Sequence, residues 1–94
     1  MSRELRAILH IAHSNPELSS KCLPHINAQK REVDWDRIYR TDLSSGLFAA
    51  VTWMRAIWSG SDSTSQDPFE RVHSLDCNLK RTVIEALEIA WGLR

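Results

Sequence analysis

The chain has 94 residues, the size of one domain, and we treat residues 1–94 as a single helical domain. Hydrophobic residues make up 43% of it and charged residues 26%, which is typical of a folded globular protein and excludes a disordered chain. Lys and Arg together number 12, as do Asp and Glu. The formal net charge is therefore zero, and the chain lacks the basic excess on which most nucleic-acid binding depends.

The first half of the sequence predicts three helices. An apolar stripe at helical spacing, with Ser2 as N-cap, indicates the first helix. Residues 14–17 resemble a capping box that opens a second helix, which Pro24 interrupts. After a polar stretch without a clear pattern, residues 25–33, Asp34 is the expected N-cap of a short helix over residues 35–40. The stripe of the first helix consists of Leu5, Ile8, Leu9 and Ala12.

Residues 46–58 are apolar except for Thr52 and Arg55. A helix that is apolar on nearly every side is normally surrounded by other elements. The sequence therefore predicts a central helix near residues 44–58. Gly60 is its expected terminator, and the serine-rich segment 61–66 is the expected loop.

The last third predicts two more helices. Asp67, Pro68 and Glu70 combine an N-cap, a first-turn proline and a first-turn acid, which indicates a short helix. A long helix then runs from about residue 76 to residue 91, where Gly92 ends it. We expect an all-α fold, a small irregular bundle of three longer helices plus two or three short ones. The apolar face of the last helix consists of Leu79, Val83, Ala86, Leu87, Ala90 and Trp91.

Four side chains in the first third of the chain have the chemistry of zinc ligands. Imidazole nitrogens and a thiolate from pairs close in sequence are a common zinc ligand set, but the usual zinc modules are richer in cysteine. We therefore expect no cofactor and keep zinc as an alternative. In a competing interpretation, the first two histidines share a solvated basic face with Arg3 and Arg6, which could contact phosphate or an acidic partner. The four ligand candidates are His10, His13, Cys22 and His25.

The two cysteines leave a nucleophilic role open. Cys22 and Cys77 each have a histidine nearby in sequence, His25 and His73, so a Cys–His pair is conceivable. Buried, inert cysteine is the more common case. Because glycine-rich phosphate loops and the Gly-x-Ser-x-Gly elbow are missing from the sequence, we expect a protein that is not an enzyme.

The chain has four tryptophans, a high number for its length. We assign Trp53 to the core and expect the other three to be partly exposed, because a domain this small has little room for large rings. Exposed Trp beside Arg or Tyr is typical of binding hot spots. The residues expected to make an interface are Trp35, Arg37, Tyr39, Arg40, Trp58 and Trp91.

The leading hypothesis is a non-catalytic helical protein–protein interaction module, such as an inhibitor, adaptor or accessory subunit. It would bind another protein or itself, in the latter case as a homodimer. One alternative is a metal-binding or nucleic-acid-associated regulator that uses the basic histidine-containing face, and another is a small Cys-dependent enzyme or toxin. Few cysteines, no visible secretory signal and a longest uncharged stretch of 12 residues, 43–54, predict a cytoplasmic protein without membrane contact.

Overall fold

The structure, a computed structural model, describes residues 2–59 and 67–94. The described residues are mostly helical and confirm the expected all-α fold. A 3₁₀ turn, Leu23–His25, follows α2, and a 3₁₀ helix, Pro68–Ser74, precedes α5. The α-helices are α1 (Arg3–His13), α2 (Pro16–Cys22), α3 (Trp35–Arg40), α4 (Ser45–Ser59) and α5 (Cys77–Ala90).

Side-chain caps fix where most of these helices begin. Ser2 accepts a hydrogen bond from the Leu5 amide at 3.2 Å, and Asp34 accepts one from the Arg37 amide at 3.2 Å. Asp76 starts α5 in the same way, through a 2.7 Å bond from the amide of Leu79. Each cap satisfies an amide that has no partner inside its own helix.

The start of α2 differs from the expected capping box. Asn15 is the N-cap, and its side-chain oxygen accepts from the amides of Glu17 and Leu18. Ser14 instead closes α1, donating its hydroxyl to the Ile11 carbonyl at 2.6 Å. The physical reason is Pro16, which is favoured at the first helical position and thereby places the cap one residue later than the box requires.

A small hairpin occupies part of the segment that showed no pattern. Strand β1 (Ile26–Asn27) pairs antiparallel with β2 (Glu32–Val33), in the register Ile26 to Val33. The turn includes Arg31 at φ 54°, a left-handed backbone conformation. Two-residue strands are too short to show the alternation that predicts a strand from sequence.

The core is built around α4, as the apolar run predicted. This helix contacts α1, α3, α5 and the 3₁₀ helix Pro68–Ser74. Trp53 is 6% exposed and belongs to the core, which confirms its assignment. The expected terminator Gly60 and the expected loop 61–66 lie outside the described residues. The buried residues of α4 are Leu47, Ala49, Ala50, Val51, Thr52, Trp53, Met54 and Ile57.

The N- and C-terminal helices pack against each other. α1 has extensive contacts with α5, and it buries Ile8 and Ile11 completely. This packing leaves the opposite side of α5 facing outward. Within the described ranges, no helix combines the length and the apolar character needed to cross a membrane.

Candidate interaction surface

The four candidate zinc ligands lie in different environments. His10 is half-buried, His13 is exposed, and Cys22 is fully buried at the end of α2. Across residues 2–59 and 67–94, no three His, Cys, Asp or Glu side chains lie close enough together to hold a metal ion. Among the described residues, no three of the four candidates are grouped as a ligand set, and zinc binding stays an untested prediction.

The basic face of α1 is smaller than the sequence suggested. Arg3, Arg6 and His13 are exposed, but His10 turns toward α5. Its Nε2 lies 2.9 Å from Oε1 of Glu85, so this histidine is part of the contact between the first and last helices. The pKa of Glu85 is lowered, mainly by the hydrogen bond with His10 and further by the charges of His10, Arg94 and Arg81, against a smaller opposing effect of desolvation.

The two cysteines have opposite environments. Burial raises the pKa of the Cys22 thiol to about 11, so the thiolate that a nucleophile needs is strongly disfavoured there. Cys77 is exposed in the first turn of α5. The structure therefore gives Cys22 the role of a small core residue, packed with the buried apolar residues.

The interface candidates on α3 are divided between core and solvent. Arg37 and Arg40 are exposed, and Arg37 forms an ion pair with Asp34 at 3.4 Å. Trp35 and Tyr39 are half-buried and pack against the core. The Tyr39 ring lies 5.3 Å from that of Phe48, which fixes it against α4.

Trp58, near the end of α4, is also half-buried and packs against the core. It lines a shallow groove of about 460 Å³. The groove carries one acid and one base, Glu4 and Arg31, so its charges balance. Nothing in this arrangement selects a particular ligand.

Trp91 is the one candidate tryptophan whose side chain stands largely in solvent, at 68% exposure. It caps the C-terminal end of α5, where Gly92 adopts φ 76°. The amide of Leu93 donates to the Glu88 carbonyl at 2.8 Å, and the amide of Gly92 donates to that of Ile89 at 3.2 Å. These two bonds form a Schellman motif, which holds Trp91 and Leu93 in a defined turn.

This C-terminal turn is also held by charged side chains. Arg94 Nε lies 3.1 Å from Glu88 Oε1, and Arg94 Nη2 lies 3.6 Å from Glu85 Oε2. The guanidinium of Arg3 lies over Gly92, with Nη1 2.8 Å from the position that a Cβ would occupy. Contacts from both α1 and α5 therefore fix the turn, and Trp91 is exposed on an ordered part of the chain.

Ile84 completes this surface and was missed in the sequence. It is 59% exposed, and Leu93 beyond the helix is 70% exposed. Ile84 lies outside the apolar face expected for the last helix, and its spacing of seven residues from Trp91 was the available signal. The assignment of Trp91 to that apolar face was wrong, because its side chain is 68% exposed on the same outward side as Ile84. We call the outward side of α5, formed by Cys77, Lys80, Arg81, Ile84, Glu88 and Trp91, the α5 outer face.

Comparison with known proteins gives no assignment for this surface. No protein-family model matches the chain, and neither a curated protein nor a solved structure matches it significantly. Any function must therefore be argued from the geometry of the chain itself.

Proposed function

We propose that this chain is a non-catalytic helical interaction module and that it binds a protein partner through the α5 outer face. The observation that carries the proposal is the exposure of Ile84, Trp91 and Leu93, each more than half accessible, along and just beyond one helix. Single exposed apolar residues are ordinary, whereas several on one ordered element are typical of binding surfaces.

The composition of the face fits a protein partner. Trp and Arg are the residues most enriched in binding hot spots, and Trp91 and Arg81 supply one of each. Charged groups surround the apolar line, with Lys80 and Arg81 toward its start and Glu88 and Arg94 toward its end. An apolar centre with a charged rim is the usual organisation of a protein–protein interface.

The turn that presents Trp91 is already ordered in the free chain. A surface that is held before binding loses less conformational entropy when a partner arrives. The Schellman bonds, the Arg94 pairs and the Arg3 contact supply that order here. Burying a large apolar side chain contributes about 1.5–3 kcal/mol, so Trp91→Ala should weaken binding by about tenfold or more.

Site-specific photocrosslinking in the native host cells tests this function. A photoreactive residue is placed at position 84 on the α5 outer face, or at position 30 in the hairpin, where Lys30 is also exposed. We expect a discrete crosslinked product from position 84 and little from position 30. Trp91→Ala should greatly reduce the product from position 84.

The same experiment can contradict the proposal. Equal products from both positions would mean that the crosslinks report random collisions. No product from position 84, in cells where the chain is folded and abundant, would show that the face is not a binding surface.

A further inference from the structure

The α5 outer face is arranged symmetrically about Ile84. Cys77 and Trp91 lie seven residues before and after it, close to two helical turns in each direction, so the three side chains form one line along the helix. All three are exposed. A line of exposed side chains that is centred on one residue can pair with a copy of itself.

The charges beside this line are arranged for the same pairing. At 100° per residue, Arg81 lies about 60° and Glu88 about 40° to the same side of the Ile84 line. Arg81 is exposed, and the Glu88 side chain retains 38% of its accessible surface. The base precedes Ile84 and the acid follows it, on one edge of the helix. When a second copy of the helix runs in the opposite direction, its acid therefore lies opposite the base of the first copy.

We propose that the α5 outer face binds a second copy of this chain, with the two α5 helices antiparallel and a two-fold axis at Ile84. This inference rests on the proposed function, because it names the partner of the same surface. In the antiparallel arrangement, Arg81 of one copy and Glu88 of the other lie on the same edge of the interface. Their positions along the helix axis differ by only about 1.5 Å. The two-fold axis makes this ion pair twice.

Other pairings satisfy these groups less well. A parallel pairing places Arg81 level with Arg81 and Glu88 level with Glu88, so no Arg–Glu pair forms across the seam. Glu88 Oε1 accepts from Arg94 within its own chain, which leaves the second carboxylate oxygen to accept from Arg81 of the other copy. The zero net charge adds no long-range repulsion between copies.

The area of contact between the two α5 helices limits the affinity of the dimer. α5 has 14 residues, or roughly four turns. One helix face of this length covers less than the roughly 800 Å² per partner of a typical stable interface. We therefore expect a dimer that dissociates on dilution.

A charge-swap experiment, read by native mass spectrometry and sedimentation, tests the pairing. Arg81→Glu alone places two acids against each other across the seam, and Glu88→Arg alone places two bases against each other, twice in each dimer. Each variant alone should lose about tenfold or more in dimer affinity, because like charges repel across an interface. When the two variants are mixed, both positions pair an acid with a base, and a heterodimer identified by its mass should form with wild-type affinity.

Matched controls separate this effect from a general change of charge. Arg37→Glu on α3 makes the same change as Arg81→Glu at another exposed arginine and should leave dimerisation unchanged. Ile84→Lys, at an exposed position, should abolish the dimer while leaving the circular dichroism spectrum and Tm near those of the wild type. It therefore provides a second test if loss of the Arg94 pair prevents folding of Glu88→Arg.

The outcomes distinguish this inference from the proposed function. A wild-type chain that stays monomeric at all concentrations, or a mixture without heterodimer, would overturn the antiparallel pairing. If position 84 then still crosslinks to a different protein, the proposed function stands and only the identity of the partner is wrong. If it crosslinks to nothing, both proposals fail.

Discussion

His10 of α1 and Glu85 of α5 are joined by a 2.9 Å hydrogen bond between Nε2 and Oε1. Arg94 approaches the other carboxylate oxygen of Glu85 at 3.6 Å, so the first helix, the last helix and the C-terminal residue meet at one acid. Because these groups surround a carboxylate with donors and positive charge, they favour its ionised form.

This arrangement predicts an acid sensitivity that depends on Glu85. Its pKa is lowered in the folded chain, so the ionised carboxylate contributes stability above its ordinary pKa of 4.5. That contribution is lost as the pH falls below 4.5 and through the lower folded value. Chemical denaturation of wild type and Glu85→Gln should therefore show a stability difference at about pH 6 that shrinks toward about pH 3.

Glu32→Gln, at an exposed position of the hairpin, is the matched control and should show little change in this pH range. A stability difference between wild type and Glu85→Gln that stays constant across the whole range would contradict the role of the carboxylate.

Gly92→Ala should destabilise the C-terminal turn for two separable reasons. A left-handed φ of 76° costs a residue with a Cβ about 1–2 kcal/mol, and the new Cβ, 2.8 Å from Arg3 Nη1, would displace the flexible end of the Arg3 side chain from the turn. The double variant Arg3→Ala/Gly92→Ala removes the second cause only. Thermal melts of the wild type, the two single variants and the double variant should show that the double variant loses less stability than the sum of the two single losses. A loss equal to that sum would show that Arg3 does not crowd this turn.

Two buried polar atoms have no hydrogen-bond partner within the described ranges: the Tyr39 hydroxyl and the Trp53 indole N–H. An unpaired buried hydroxyl costs stability, so Tyr39→Phe should leave the free energy of unfolding unchanged or raise it by about 1 kcal/mol. Thr52→Val is the comparison, since the Thr52 hydroxyl donates to the Phe48 carbonyl at 2.9 Å and its loss should cost about 1 kcal/mol. A loss of stability in Tyr39→Phe as large as that in Thr52→Val would mean that the tyrosine hydroxyl is paired.

The cysteines should differ in reactivity toward a thiol reagent. Cys22 is fully buried with its pKa raised to about 11, while Cys77 is exposed. Mass spectrometry of the native chain should show one rapid label, lost in Cys77→Ser and retained in Cys22→Ser. Rapid labelling of Cys22 in the folded chain would contradict its place in the core.

Local signals in the sequence predicted the helices well, because caps and prolines act within a few residues. Ser2 and Asp34 start their helices as the predicted N-caps, and the apolar run of α4 forms the centre of the core. The errors have local causes too. Pro16 moved the cap of α2 to Asn15, and the hairpin strands are too short to show a period.

The candidate surface was only partly predictable. Trp91 was identified from its type and its place near a helix end. Ile84 was not, because it lies outside the apolar face predicted for α5 and one apolar residue on an exposed side does not by itself indicate a surface. The hydrogen bond between His10 and Glu85 was not predictable either, because the two residues are 75 positions apart in the sequence. Contacts between distant segments depend on how helices pack, and local patterns in the sequence do not reveal that packing.

The most direct test of the α5 outer face is a dilution series of two-dimensional NMR spectra, because the indole signals of Trp35, Trp58 and Trp91 report separate parts of the surface while that of Trp53 reports the core. For a dimer in the micromolar range, the series would extend from about 5 μM to about 1 mM. We predict that the Trp91 indole and the Ile84 amide shift with concentration, while the indoles of Trp35 and Trp58 stay constant. Shifts at Trp35 or Trp58 with Trp91 unchanged, or no shift at any concentration, would contradict self-association through this face.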